Sequence, residues 1–315
     1  MTIPLVIDTD TAADDCFALL VGLLHPEADL RAVTMVAGNV GFDQQVENAF
    51  LTIGLSGRAG EIPVHLGSRA PLLREWKSAS EVHGDGVGGQ RRGDDGQVVS
   101  DEHAVDALVR LAAEYEGLLR IVAIGPLTNI ALAVSKDPLF ASRVGELVVM
   151  GGSLNGRGNV TPAAEYNIYV DPEAADIVAR AGFSTLTFVT WDPLSLRDAL
   201  FGPERIAEIA ALNTTLSRFF VTANQATYDF DVAVGVGGSI HCDSLATLIA
   251  IDRSVVLDEN SYGLAVEIHG EHTRGATVFD WKPEAVKNAQ VIEHIDGDRF
   301  YAHMLALLAT EPGMA

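Results

Sequence analysis

The chain has 315 residues, with 43 Asp and Glu against 21 Lys and Arg and a net charge of -22. That balance excludes gripping a nucleic-acid backbone or an anionic membrane through the protein's overall field, and 48% hydrophobic content excludes global disorder. Cys16 and Cys242 are the whole cysteine complement, too few for a disulfide framework and suited to a reducing compartment.

In chain order, Ile3–Ile7 predicts a strand and Asp14–Leu24 a helix. Leu30–Val36 predicts a second strand, followed by a helix from Asp43 to Leu55. Leu118–Ile124 and Glu146–Met150 read as strands with Thr128–Ser135 helical between them, and Asp171–Ala181 reads as a helix ending at Gly182 before a strand over Thr185–Thr190. The order βαβα predicts an α/β protein, a mostly parallel central sheet flanked by helices, taken as one domain over residues 1–315. After Ser254, the runs Gly263–Ile268, Ala276–Phe279 and Gln290–Ile295 predict a small strand-rich C-terminal addition, closed by a helix over Asp298–Leu308. Ser78–Gln97 is glycine-rich and charged without a helical period: an unstructured excursion by position, or else an active-site flap. The opening residues carry no basic or long apolar segment, and no run approaches ~18 apolar residues, so a soluble cytoplasmic protein is expected.

Chemistry concentrates after the strands, where sites form in parallel sheets. Asp8-Thr-Asp10-Thr-Ala-Ala-Asp14-Asp15 places four carboxylates directly after the first strand. Thr11 and Asp14 have capping-box spacing, and Asp14 and Asp15 suit a first helical turn. Asp8 and Asp10 are not covered by that reading and alternate onto one side of the strand. Carboxylates converging there repel one another unless a cation joins them, and an all-oxygen set suits Ca²⁺ or Mg²⁺ rather than Zn²⁺. A second group is Gly158-Asn159-Val-Thr-Pro-Ala-Ala-Glu165-Tyr166-Asn167, whose amides and carboxylate suit vicinal hydroxyls. A third is His241-Cys242-Asp243 before an apolar helix over Leu245–Ile251, where Asp243 taken alone reads as a cap. Asn39 in Ala-Gly-Asn and Gly125-Pro-Leu-Thr128-Asn129 recur at further strand ends.

These motifs, in this order along nearly the whole chain, resemble the inosine-uridine preferring nucleoside hydrolase family. His83-Gly-Asp-Gly-Val-Gly-Gly89 is similar to that family's glycine-rich loop. The resemblance implies a Rossmann-like nucleoside hydrolase fold and a Ca²⁺-dependent nucleoside N-ribohydrolase. It implies Asp10, Asp15, the carbonyl of Thr128 and Asp243 as Ca²⁺ ligands, with Asp10 also the base that takes a proton from water at the ion. It implies Asp14, Asn39, Asn159, Glu165, Asn167 and Asp243 as ribose-side contacts, and a homodimer or homotetramer.

Two departures stand out. Many members carry His where this chain has Cys242, with His241 one place earlier, and a one-residue offset at a helix start turns a side chain by about 100°. The contact to the leaving base therefore has several candidates: His83, Tyr228, His241 or Cys242, and the choice between purine and pyrimidine is not legible. Thr11-Ala12 also replaces a more usual Pro-Gly. Two other functions compete. Asp8 and Asp10 have the nucleophile-and-acid spacing of a haloacid-dehalogenase-type Mg²⁺ phosphohydrolase, but Asp14, Asp15 and residues 159–167 are then unexplained. A non-catalytic nucleoside- or sugar-binding protein is the third, although Asp10, Asp15 and Asp243 are all intact.

Overall fold

A computed structural model describes residues 2–312. The chain runs β1 (Ile3–Thr9), α1 (Asp14–Leu24), β2 (Ala28–Met35), α2 (Phe42–Leu55), β3 (Val64–Leu66), α3 (Ser80–His83), α4 (Ala104–Glu114), β4 (Arg120–Ala123) and α5 (Thr128–Lys136). It continues with α6 (Phe140–Arg143), β5 (Glu146–Met150), α7 (Tyr166–Val170), α8 (Pro172–Arg180), β6 (Leu186–Val189), α9 (Leu194–Asp198), β7 (Leu200–Phe201), α10 (Pro203–Leu212) and α11 (Thr215–Ala233). It closes with β8 (Ser239–Ile240), α12 (Cys242–Ile251), a 3-10 turn (Arg253–Val255), β9 (Val256–Val266), β10 (Thr277–Asp280), β11 (Ala289–Ile295) and α13 (Gly297–Leu308).

Nine strands form one sheet in the order β10-β9-β11-β6-β5-β4-β1-β2-β3. From β3 to β11 every neighbour is parallel, and only the β11–β9 and β9–β10 pairings are antiparallel. Alternation along the buried strands explains the two-faced core. Leu5 and Ile7 join one apolar cluster with α1, α2, α11 and α12, while Val6 points into the other with α4, α5 and α8.

The C-terminal addition proves to be the end of the main sheet rather than a separate layer. Gln290 and Val291 of β11 pair in parallel with Thr187 and Phe188 of β6, and β9 then pairs with β11. β9 is also longer than expected, joining the run after Ser254 to the run after Gly263. Its middle, Leu257–Ser261, is exposed and largely polar, so no apolar alternation marks it. The 19-residue α11 opens with a reciprocal cap between Thr214 and Ser217, which uses Ser where a Glu or Gln would signal the motif. No helix among the described residues is long and apolar enough to cross a membrane.

Candidate active site

The carboxyl ends of β1, β2, β4 and β5 meet at the middle of the sheet, and the loops leaving them carry the candidates. Asp10 lies just beyond β1 and is fully buried. Its Oδ2 accepts from the Asn39 backbone N–H at 2.8 Å, and its Oδ1 has no partner. Two glycines hem it in: a Cβ on Gly38 would stand 1.8 Å from Oδ2, and one on Gly125 would stand 2.8 Å from Oδ1. Backbone at the ends of β2 and β4 thus closes on the carboxyl from both sides, which only residues without a side chain permit.

Asp15, on the first turn of α1, accepts from Thr9 Oγ1 at 2.7 Å, from Asn39 Nδ2 at 3.0 Å and from Ala12 N at 3.2 Å. Asp14 turns the other way. It accepts from the Asp243 N–H at 2.7 Å and from Ser244 Oγ at 2.7 Å, and its Oδ1 lies 3.2 Å from His241 Nδ1. Asp14 therefore caps α12 from across the pocket, and Asp243 is a pocket residue inside that helix rather than its cap. The expected capping box at Thr11 is absent. Ala13 is the residue before α1, with φ 41° and no side-chain cap, a left-handed backbone that costs a non-glycine residue energy. Its N–H is fixed by the Gly86 carbonyl at 2.7 Å.

Burial pushes the Asp15 carboxyl up to about 7, opposed by its hydrogen bonds. Burial, then the charge of Asp15, raises Asp10 well above the usual carboxylate range. Burial, then Asp15, Asp14 and Asp10, does the same to Asp243. Three buried carboxyls that oppose one another's ionisation, one with an orphaned oxygen, are what a divalent cation would relieve. The donor set is all oxygen apart from the neighbouring Cys242 thiol, which fits a hard ion. Donor atoms of Asp14, Cys242 and Asp243 lie within 4.8 Å of one another. Thr128 begins α5, buried, with its hydroxyl donated to Asp171 at 2.7 Å.

Asp8 does not belong to the cluster. Thr34 Oγ1 and Asn129 Nδ2 both donate to its Oδ1, at 2.5 and 2.8 Å, its Oδ2 is buried without a partner, and burial raises it to about 7 with no carboxylate neighbour contributing. The strand ends at Thr9, so the alternation that placed Asp8 beside Asp10 stops before it applies. Asp243 is the fourth carboxylate in its place. A phosphohydrolase pair of Asp8 and Asp10 is accordingly not formed.

Glu165 is both a cap and a wall of the pocket. It accepts from Asn167 N at 2.9 Å, Ile168 N at 3.2 Å and Gly152 N at 2.9 Å, while burial raises it to about 7. Asn167 donates Nδ2 to the carbonyls of Ile124 and Met150 at 3.0 and 3.3 Å, tying the ends of β4 and β5 together. Asn159 is exposed on the turn before α7, its backbone N–H bonded to Ala164 O at 3.2 Å.

The leaving-base candidates separate cleanly. His241 is fully buried among Phe17, Phe201 and Phe220, with Nε2 2.9 Å from Ser239 Oγ and Nδ1 on Asp14. Both nitrogens are engaged, so it positions Asp14 and does not face a base. Cys242 Sγ lies 3.8 Å from Asp243 Oδ1, and burial beside Asp243, Asp14 and Glu165 keeps the thiol protonated. His83 is at the end of α3, its Nδ1 3.2 Å from Thr227 Oγ1 of α11, and feels the charge of Asp14. Burial lowers it to about 4, so at neutral pH it is an uncharged imidazole. Tyr228 is half-buried next to Thr227 on α11.

Ser78–Gln97 is not a loose excursion where it matters. Asn48 of α2 donates to the carbonyls of Thr11 at 3.0 Å and Asp85 at 2.9 Å, stitching the aspartate loop to the glycine loop. Gln45 of the same helix donates to Asp10 O at 2.8 Å. Sequence reasoning missed Asn48, Gln45, Ser244, and Trp76, whose indole N–H donates to Gly38 O at 2.9 Å. Polar residues at buried positions of α2 are the signal that marks the first two.

The profile of the family described as inosine-uridine preferring nucleoside hydrolase matches residues 5–302. The non-specific ribonucleoside hydrolase RihC of Salmonella paratyphi C is 34% identical over 311 residues, covering 98% of each chain. The pyrimidine-specific ribonucleoside hydrolase RihA of Photobacterium profundum is 35% identical over 291 residues, covering 89% of each. Among solved structures, a purine-preferring ribonucleoside hydrolase from Gardnerella vaginalis superposes with a TM-score of 0.91 at 30% identity, over 99% of this chain and all of that one. Buried carboxylates at the β1 end, the Asn39 and Gly125 turns and the Glu165–Asn167 wall thus occur on a chain that belongs to the inosine-uridine preferring nucleoside hydrolase family.

Proposed function

We propose that the protein hydrolyses the N-glycosidic bond of ribonucleosides, giving ribose and the free base. The observation that carries this reading is Asp10: a buried carboxylate with one oxygen fixed by the Asn39 N–H, the other without a partner, and the charge of Asp15 beside it, which the likewise half-unpartnered Asp8 lacks. An orphaned buried acceptor is costly unless a ligand uses it, and here it is a base awaiting a proton. Asp10, Asp15, the Thr128 carbonyl and Asp243 would hold a hard divalent cation, in our reading Ca²⁺. Such an ion supplies positive charge that keeps these carboxyls ionised, draws ribose hydroxyls into place and acidifies nearby water.

The residues then divide the work. Asp14, Asn39, Asn159, Glu165, Asn167 and Asp243 hold the ribose hydroxyls, the carboxylates accepting and the amides donating or accepting. As the bond from C1′ to the base nitrogen lengthens, the sugar gains positive charge, which the surrounding carboxylates stabilise. Water attacks C1′ while Asp10 takes its proton; the base departs with the bonding electrons and must gain a proton. His83 reaches that region as a neutral imidazole, able to donate one N–H but not to act as a strong acid at neutral pH. Cys242 offers a neutral thiol next to Asp243. Which base is preferred lies with His83, Cys242, Tyr228 and the end of α11. A cytoplasmic homodimer or homotetramer completes the proposal.

The test is a panel of inosine, uridine, adenosine and cytidine, followed by chromatography of free base and a reducing-sugar assay. Equal release of base and ribose is expected, abolished by chelator and restored by Ca²⁺. Retained nucleoside binding with no release would overturn hydrolysis in favour of a binding protein.

A further inference from the structure

A second group of ligating side chains lies at the far ends of the two helices that begin in the pocket. α1 starts at Asp14 and ends at His25, its C-cap; α12 starts at Cys242 and ends at Asp252, its C-cap. At 1.5 Å per residue these ends are about 15 Å from the pocket. There His303, on α13, joins them, and one donor atom from each of His25, Asp252 and His303 lies within 4.8 Å of the others. The imidazoles of His25 and His303 stack with centroids 6.5 Å apart, and His303 Nε2 is 3.8 Å from Asp252 Oδ2. Asp252 Oδ1 is occupied by the Ser254 N–H at 2.8 Å, which orients the carboxylate and leaves Oδ2 facing the histidines.

We propose that His25, Asp252 and His303 form a site for a borderline transition-metal ion of the Zn²⁺ class, separate from the carboxylate site. Two imidazoles and one carboxylate are the donors such an ion prefers, whereas Ca²⁺ and Mg²⁺ take oxygen. Neither α1 nor α12 has a basic residue of its own in its last turn, but Arg58 donates to the Leu23 carbonyl at 3.1 Å and Arg120 to the Ala250 carbonyl, so both helix ends are already met by guanidinium groups and the donor set itself carries the site. Burial also lowers His25 from the usual histidine value, which favours the uncharged ligating form.

Donors around tetrahedral Zn²⁺ stand about 3.4 Å apart, from bonds of about 2.0–2.1 Å. The half-exposed side chains must close by about 1 Å, a rotamer adjustment rather than a backbone change. His25 Nδ1 accepts a long 3.2 Å contact from the Glu27 N–H; a metal on Nε2 would place the ring hydrogen on Nδ1 and open that contact. With three protein ligands the fourth position belongs to water, and the ion would tie α1 and α12 to α13.

The experiment uses the full chain, stripped with chelator and then kept in excess Ca²⁺ so that the carboxylate site is filled. Zn²⁺ is titrated by calorimetry, and Co²⁺ is followed by its visible absorption. One equivalent of Zn²⁺ is expected, with binding weakened at least tenfold in both His25→Gln and His303→Gln while ribose release is unchanged. No Zn²⁺ binding beside Ca²⁺, or binding untouched by both substitutions, would overturn the proposal.

Discussion

At the pocket floor, Asp10, Asp14, Asp15 and Glu165 are buried, and each is held by backbone N–H groups or by short polar side chains. At the rim, His83 has one side-chain contact, Thr227, while Asn159 sits exposed on a turn. The floor borrows its order from the sheet: strand ends and two glycines place Asp10 before any ligand arrives. The rim hangs on α3, a single turn, and on the end of α11, where Phe230, Val232 and Val234 are exposed. In the proposed reaction charge develops on the ribose, which is common to all nucleosides, and the fixed groups are the ones assigned to it. The base varies among substrates, and the loosely held His83 is the group assigned to it. On that reading preorganised electrostatics and adjustable recognition are separated in one pocket.

Breaking the floor has the largest expected effect. Asp10→Asn removes the proposed proton acceptor and a cation ligand, and kcat should fall by about 10³-fold on every nucleoside, read as ribose release. Gly38→Ala tests rigidity without changing any functional group. Its Cβ would stand 1.8 Å from Asp10 Oδ2, so the carboxyl must move, and a displacement of about 1 Å costs on the order of 10²-fold in rate. Activity close to wild type would show that Asp10 does not need its cradle. His241→Phe suits the aromatic box yet deletes the bond to Asp14. KM should rise about tenfold with a smaller change in kcat, because Asp14 keeps its other partners but loses one restraint.

Much of the floor was legible beforehand for a physical reason. Parallel strands buried on both faces read as apolar runs, and polar residues directly after such a run have few structural duties, so Asp10, Asp15 and Asn39 stood out. What stayed hidden depends on contacts between distant segments. His241 next to Cys242 resembled a base contact; its true surroundings, Phe17, Phe201 and Phe220, come from three other elements. Asp8 looked like a partner of Asp10 by alternation, but Thr34 and Asn129, 26 and 121 residues away, bind its Oδ1, and no carboxylate charge reaches it. Gly38 was noticed only as a neighbour of Asn39, since its approach to Asp10 exists in three dimensions alone. β9 was misread because an exposed polar strand carries no apolar alternation.

The smallest expected change belongs to the rim. His83→Ala should alter rates a few-fold, unequally among bases, and least on a riboside whose leaving group needs no proton, such as p-nitrophenyl riboside. The division between floor and rim is tested most directly by kcat/KM for inosine and uridine measured side by side on wild type, Asp10→Asn and His83→Ala. Asp10→Asn is expected to lower both by the same factor, leaving their ratio unchanged, while His83→Ala shifts the ratio. A ratio moved by Asp10→Asn and untouched by His83→Ala would contradict that division.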